Sequence, residues 1–186
     1  KDGSIRFEID VPFGTSGIGE YEESVIITQG HTVNGGLTLG KIRAFNNTSG
    51  DSLWNYETEH GGFIKVGPLI ENGVLYSGTR GNSPLSLVVA LNASTGDVIW
   101  EYKSNEPPEF TESLTIGPSL IYSGASGRLI ALDKQTGEKE WQFDWTSATM
   151  VKPVYLEGYL YHSDHNQMFV INAETGELVH TEPVPE

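Results

Sequence analysis

The 186-residue sequence has no cysteine, which excludes disulfides and thiolate metal sites and leaves the redox compartment open. Positive charge is scarce: 11 Lys and Arg face 25 Asp and Glu, a formal net charge of −14. That field works against phosphate backbones and anionic membrane surfaces, so nucleic acid is not an expected partner. It suits a self-repelling surface, cationic partners or a salty native setting. No run approaches the ~20 apolar residues needed to cross a bilayer, so direct membrane insertion is not expected. The chain begins at Lys1 with neither Met nor a signal peptide, and reads as a mature form, a trimmed form or an excised piece.

Short apolar runs rich in Val, Ile, Tyr, Phe and Trp, broken by Gly, Asn, Asp and Pro, predict an all-β fold. Self-similarity is the strongest signal. Four segments follow one template: Ala44-Phe-Asn46-Asn-Thr-Ser-Gly50-Asp-Ser-Leu-Trp54, Ala90-Leu-Asn92-Ala-Ser-Thr-Gly96-Asp-Val-Ile-Trp100, Ala131-Leu-Asp133-Lys-Gln-Thr-Gly137-Glu-Lys-Glu-Trp141 and Val170-Ile-Asn172-Ala-Glu-Thr-Gly176-Glu-Leu-Val-His180. The glycines are 46, 41 and 39 residues apart, the length of one four-stranded propeller blade. Asn or Asp starts a turn by bonding its side chain to nearby backbone, and Gly four residues later takes a positive φ. The next strand alternates, with Trp54 and Tyr56, Trp100 and Tyr102, and Trp141 and Phe143 on one face and Asn55, Glu101 and Gln142 on the other. Upstream, Ile18-Gly19, Val66-Gly67-Pro68, Ile116-Gly117-Pro118 and Val151-Lys152-Pro153 are read as one shared element. It leads through the innermost strand into a second strand at Val25–Ile27, Val74–Tyr76, Leu120–Tyr122 and Tyr159–Tyr161.

The template resembles the tryptophan-docking motif of the pyrroloquinoline-quinone-like (quinoprotein-type) β-propeller repeat family, Ala-x-Asp-x-x-Thr-Gly-x-x-x-Trp. The resemblance implies that Trp54, Trp100 and Trp141 pack on the neighbouring blade, with Gly50, Gly96, Gly137 and Gly176 as structural turn positions. His180 replaces Trp in the last copy. One propeller domain over 1–186 is expected, with blades at 16–58, 63–103, 110–146 and 149–184. An orphan outer strand at 3–10 carries Phe7 in the Trp position. The family forms rings of seven or eight blades, so the chain is expected to be a fragment, half of a two-copy ring of about eight blades, or a closed four-bladed ring.

The resemblance implies a non-catalytic scaffold or binding module for a protein, an extended ligand or a second copy of itself. This is similar to the outer-membrane assembly lipoproteins that use the repeat, and implies an extracytoplasmic setting, periplasmic or cell surface, with no cofactor. The alternatives are a fragment of a pyrroloquinoline-quinone-dependent dehydrogenase or a sensor domain of a membrane kinase. The dehydrogenases bind quinone and Ca²⁺ on the propeller axis, and the alcohol-oxidising members commonly place a vicinal disulfide against the quinone, which this chain cannot form. No catalytic position of that family maps onto the sequence.

Among polar clusters, His162-Ser163-Asp164-His165-Asn166 is the densest, and His162, Asp164 and His165 are candidates for a Zn²⁺-type site against the alternative of a polar hairpin. Asn46, Asn47 and Asn92 match glycosylation acceptors, but the turn itself demands Asn or Asp at Asn46 and Asn92. The Gly-rich segments at 14–19 and 35–40 lack the following helix of a phosphate cradle. No Ser sits in a nucleophile elbow. Glu106-Pro107-Pro108-Glu109 reads as a stiff connector between blades. Loops between second and third strands reach the same propeller face as the blade connections, so His31, Arg80 and His162 are candidates for a shared binding face.

Overall fold

A computed structural model describes residues 5, 7–9, 11, 14–32, 38–58, 63–64, 66–80, 86–104, 113–125, 127–146, 152–164 and 166–183. The strands fall into four antiparallel sheets, each a meander from an inner to an outer strand. The first contains β1 (Thr15–Tyr21), β2 (Ser24–Thr32), β3 (Thr38–Asn46) and β4 (Ser52–Glu57). In the second, the inner position is split between β5 (Phe63–Ile64) and β6 (Leu69–Glu71), both pairing with β7 (Val74–Arg80), followed by β8 (Ser86–Asn92) and β9 (Val98–Ser104). The third holds β10 (Ser113–Ile116), β11 (Leu120–Ala125), β12 (Arg128–Asp133) and β13 (Lys139–Asp144). The fourth holds β14 (Val154–Leu156), β15 (Tyr159–Ser163), β16 (Gln167–Asn172) and β17 (Leu178–Pro183). There is no helix among the described residues. The architecture is a partial β-propeller of four blades.

The buried apolar residues form three clusters, one per blade junction. Ile26, Ile42 and Trp54 of the first blade meet Leu75, Val89 and Leu91 of the second. Tyr76, Val88 and Trp100 meet Leu114, Ile121 and Leu132. Tyr122, Leu129 and Ala131 meet Leu160, Phe169 and Ile171. Each blade is a thin sheet that must bury both faces, so its hydrophobic contacts come from its neighbours.

The repeat recurs at atomic detail. Asn46 Oδ1 accepts the backbone N–H groups of Thr48 and Ser49, both at 2.9 Å, and Asn92, Asp133 and Asn172 do the same two and three residues on. Just beyond each turn the register shifts at one position, between Ala44/Phe45, Ala90/Leu91, Ala131/Leu132 and Val170/Ile171. The extra residue of the outer strand at that bulge is Leu53, Ile99, Glu140 or Val179.

One sequence expectation needs adjustment. The Gly-Pro steps are not one element: Val66-Gly67-Pro68 and Lys152-Pro153 precede the inner strands β6 and β14. In contrast, Gly117-Pro118 lies inside the β10–β11 hairpin, where the Gly117 N–H donates to the Leu120 carbonyl at 2.9 Å. Pro suits both places, since it fixes φ and needs no ladder hydrogen. The expected orphan strand at 3–10 lies partly outside the described residues, which there are Ile5 and Phe7–Ile9 alone.

Candidate functional site

Each docking tryptophan is held by two contacts in the next blade. The Nε1–H groups of Trp54, Trp100 and Trp141 donate to the carbonyls of Ala93, Lys134 and Ala173 at 3.2, 2.9 and 3.1 Å. Their rings lie on Gly96, Gly137 and Gly176, where an added Cβ would come within 2.6 Å of a ring atom. These glycines also have φ of 77°, 74° and 75°, so both conformation and space exclude a side chain. Phe7 lies in the same way on Gly50, at 3.0 Å from a built Cβ. His180 has no such glycine among the described residues; its side chain is exposed and its Nε2 meets Glu182 Oε1 at 2.8 Å.

The third junction breaks the repeat at its connection face. Ser77, Ser123 and His162 hold equivalent buried positions on the second strands, where the first blade has Ile27. Ser77 donates back to the carbonyl of Val66 at 3.0 Å. Likewise Thr58, Ser104 and Trp145 are equivalent, four residues after each docking Trp, and Thr58 Oγ1 accepts the Gly40 N–H at 2.9 Å. Two hydroxyl positions have therefore become rings. Trp145 and His162 meet at 4.5 Å between centroids, with Phe169 and Phe143 completing the cluster. The Trp145 indole N–H is enclosed without an acceptor among the described residues.

These contacts bear on the proposed ligand set. His162 is 3% exposed inside the aromatic cluster, and Asp164 Oδ1 is occupied by the N–H groups of Asn166 and Gln167 at 2.8 and 2.9 Å. His165 lies outside the described residues. Among the described residues, no group of three or more His, Cys, Asp and Glu side chains gathers to hold a metal. His31 is near the end of β2 and Arg80 ends β7, the same ends of the second strands as His162, but the side chains of His31 and Arg80 lie outside the description. Trp145, the fourth tryptophan, stands off the template, and aligning the residues after each docking Trp is the signal that reveals it.

The outer rim has a different character. Each outer strand pairs on one side only. Its bulge presents Leu53, Ile99 and Val179 to solvent at 50, 47 and 54% exposure, beside exposed Val98 and Leu178. Inside the rim, Tyr56 donates to Glu101 Oε1 at 2.7 Å, linking outer strands of adjacent blades. Burial opposes ionisation of Glu101, but the Tyr56 hydroxyl and the Lys103 ammonium outweigh it and hold the carboxyl below its ordinary value.

A family model described as outer membrane protein assembly factor BamB matches residues 38–186. No curated protein matches the sequence. Among solved structures, BamB from Moraxella catarrhalis superposes with a TM-score of 0.68 at 19% identity, covering 96% of this chain and 56% of that one. Quinohemoprotein alcohol dehydrogenase ADHIIG from Pseudomonas putida HK5 gives 0.69 at 17% identity, covering 90% and 34%. The computationally designed Ika4 protein gives 0.64 at 11% identity, covering 98% and 99%. The chain thus spans about half the length of the first of these and a third of the second. At such identities the superpositions establish the fold alone.

Proposed function

Because the chain belongs to the outer membrane protein assembly factor BamB family, we propose that it is a non-catalytic propeller scaffold that binds a protein partner outside the cytoplasm. The observation that carries this reading is the rim. Bulges on edge strands normally guard a sheet against unwanted pairing, and charged side chains serve the same end, as Glu140 does in the third blade. Placing Leu53, Ile99 and Val179 at the equivalent exposed position runs against that protection. Exposed apolar groups at a repeated rim position fit a surface that a partner covers. The acidic charge adds steering toward basic partners.

The test is site-specific cross-linking: a photoreactive residue at Ile99 or Val179, in cells that make the protein naturally, is expected to capture a defined protein. Calorimetric titration with pyrroloquinoline quinone and Ca²⁺ is expected to give no stoichiometric binding, and tight one-to-one binding would replace the scaffold reading with a quinoprotein one.

A further inference from the structure

On the turn face, opposite the connections, side chains of the chain itself reach across two of the three described blade junctions. At the second junction Lys134, the residue after Asp133, reaches across from the third blade. Its Nζ donates to the carbonyls of Gly117 and Pro118 at 3.0 and 3.2 Å and to the Glu71 carboxylate of the second blade. All three ammonium hydrogens are thereby used, and the side chain is only 14% exposed. At the first junction the position of Glu71 is taken by Tyr21, whose hydroxyl oxygen lies 3.2 Å from a Cβ built on Gly73.

The third junction is left open. Ala173 stands where Lys134 does, first after the turn Asn, and Gly117 stands where Glu71 does in the inner hairpin. A Cβ on Gly117 would come within 2.7 Å of the Tyr122 ring, so the chain cannot fill the space from that side. The result is a groove of about 400 Å³. Tyr122 stacks on Tyr155 along it, centroids 6.2 Å apart and planes within 9°, and Tyr159, Glu157 and Glu174 stand around it. Burial first, then Tyr155 and the Glu174 carboxylate, push the Tyr122 hydroxyl up to about 12, which places the charge of Glu174 beside the aromatic wall.

We propose that this groove takes the side chain of a Lys or Arg carried by a partner protein, doing for the fourth blade what Lys134 does for the third. Glu157 holds the hairpin position of Pro118, whose carbonyl Lys134 uses, the tyrosine rings supply faces for a cation, and Glu157 and Glu174 supply the opposite charge. The net charge of −14 favours approach of a basic segment. This rests on the scaffold reading and adds to it the chemistry of one contact.

The test uses the full chain, isotope-labelled, titrated by NMR with acetylated and amidated Gly-Lys-Gly, Gly-Arg-Gly and Gly-Gln-Gly. The basic peptides are expected to shift the amides of Tyr122, Tyr155, Gly158 and Ala173 and to bind about tenfold more tightly than the glutamine peptide. Ala173→Lys, which copies the occupied junction, is expected to abolish those shifts, and Glu174→Gln to weaken binding about threefold while leaving the rest of the spectrum unchanged. Equal binding of the glutamine peptide, shifts confined to other residues, or undiminished binding to Ala173→Lys would each overturn the proposal. If Ala173→Lys fails to fold, Glu174→Gln decides, since unchanged affinity there also contradicts it. Cross-linking from Ile99, on the second blade's outer strand, is independent of the groove: its success beside a failed titration would remove this contact and leave the scaffold standing.

Discussion

At the residue scale, Gly137 and Gly158 separate two reasons for a glycine. Both have positive φ, 74° and 86°, but the Trp100 ring crowds Gly137 while a Cβ at Gly158 would meet nothing within 4 Å. Gly158→Ala is therefore expected to cost only the left-handed strain, about 1–2 kcal/mol. Gly137→Ala should cost clearly more, because Trp100 must move, and urea unfolding of the two variants measures the difference. Asp133 makes a pH prediction. The Thr136 N–H first of all, and the Gln135 N–H, hold its carboxyl below the ordinary 3.8 against the effect of burial. A lowered folded value means stability that is present above the unfolded value and lost as pH falls below about 4. Asp133→Asn keeps the turn, as Asn does in the other three blades, and should flatten the acid limb of the stability-versus-pH curve with little change at neutral pH. Asp133 and Gly137 were legible in the sequence because turn chemistry is local: the Asn or Asp and the Gly act within five residues of each other. Lys134 was not, because its meaning depends on Glu71 and Gly117, brought near only by packing of the next blade.

At the element scale, the third and fourth strands of every blade could be read from the template, and the inner strands could not be aligned. Gly-Pro in the third blade occupies a hairpin rather than a strand approach, and β5 and β6 share one inner position, since inner strands are short and carry little alternation. The Trp145–His162 pair also escaped notice, because a ring at a hydroxyl position breaks the repeat instead of following it. Trp145→Ala and His162→Ser, singly and together, form a cycle that measures the pair. A coupling of about 0.5–1.5 kcal/mol by denaturant unfolding is expected from rings 4.5 Å apart. Additive effects would mean that the two rings merely share a neighbourhood.

At the scale of the whole molecule, three inter-blade clusters instead of one central core make stability a matter of nearest neighbours. Trp54→Ala, which removes the ring from the first junction at a cost of about 3–5 kcal/mol, should raise hydrogen exchange mainly in β2–β4 and β7–β8 and leave β15–β16 protected. The count of blades was legible from the glycine spacing, whereas the apolar rim was not. Leu53, Ile99 and Val179 look like ordinary strand residues until the bulge in each outer strand turns them to solvent. That rim is where the scaffold reading is most exposed to test. The direct measurement compares photo-cross-linking yields from Ile99 and Val179 with the yield from Glu138, an exposed turn residue, in the protein's own cells. The account predicts one recurrent protein adduct from the rim positions, lost on Ile99→Lys when the probe is moved to Val98, and none from Glu138. Equal, heterogeneous adducts from all positions would contradict it.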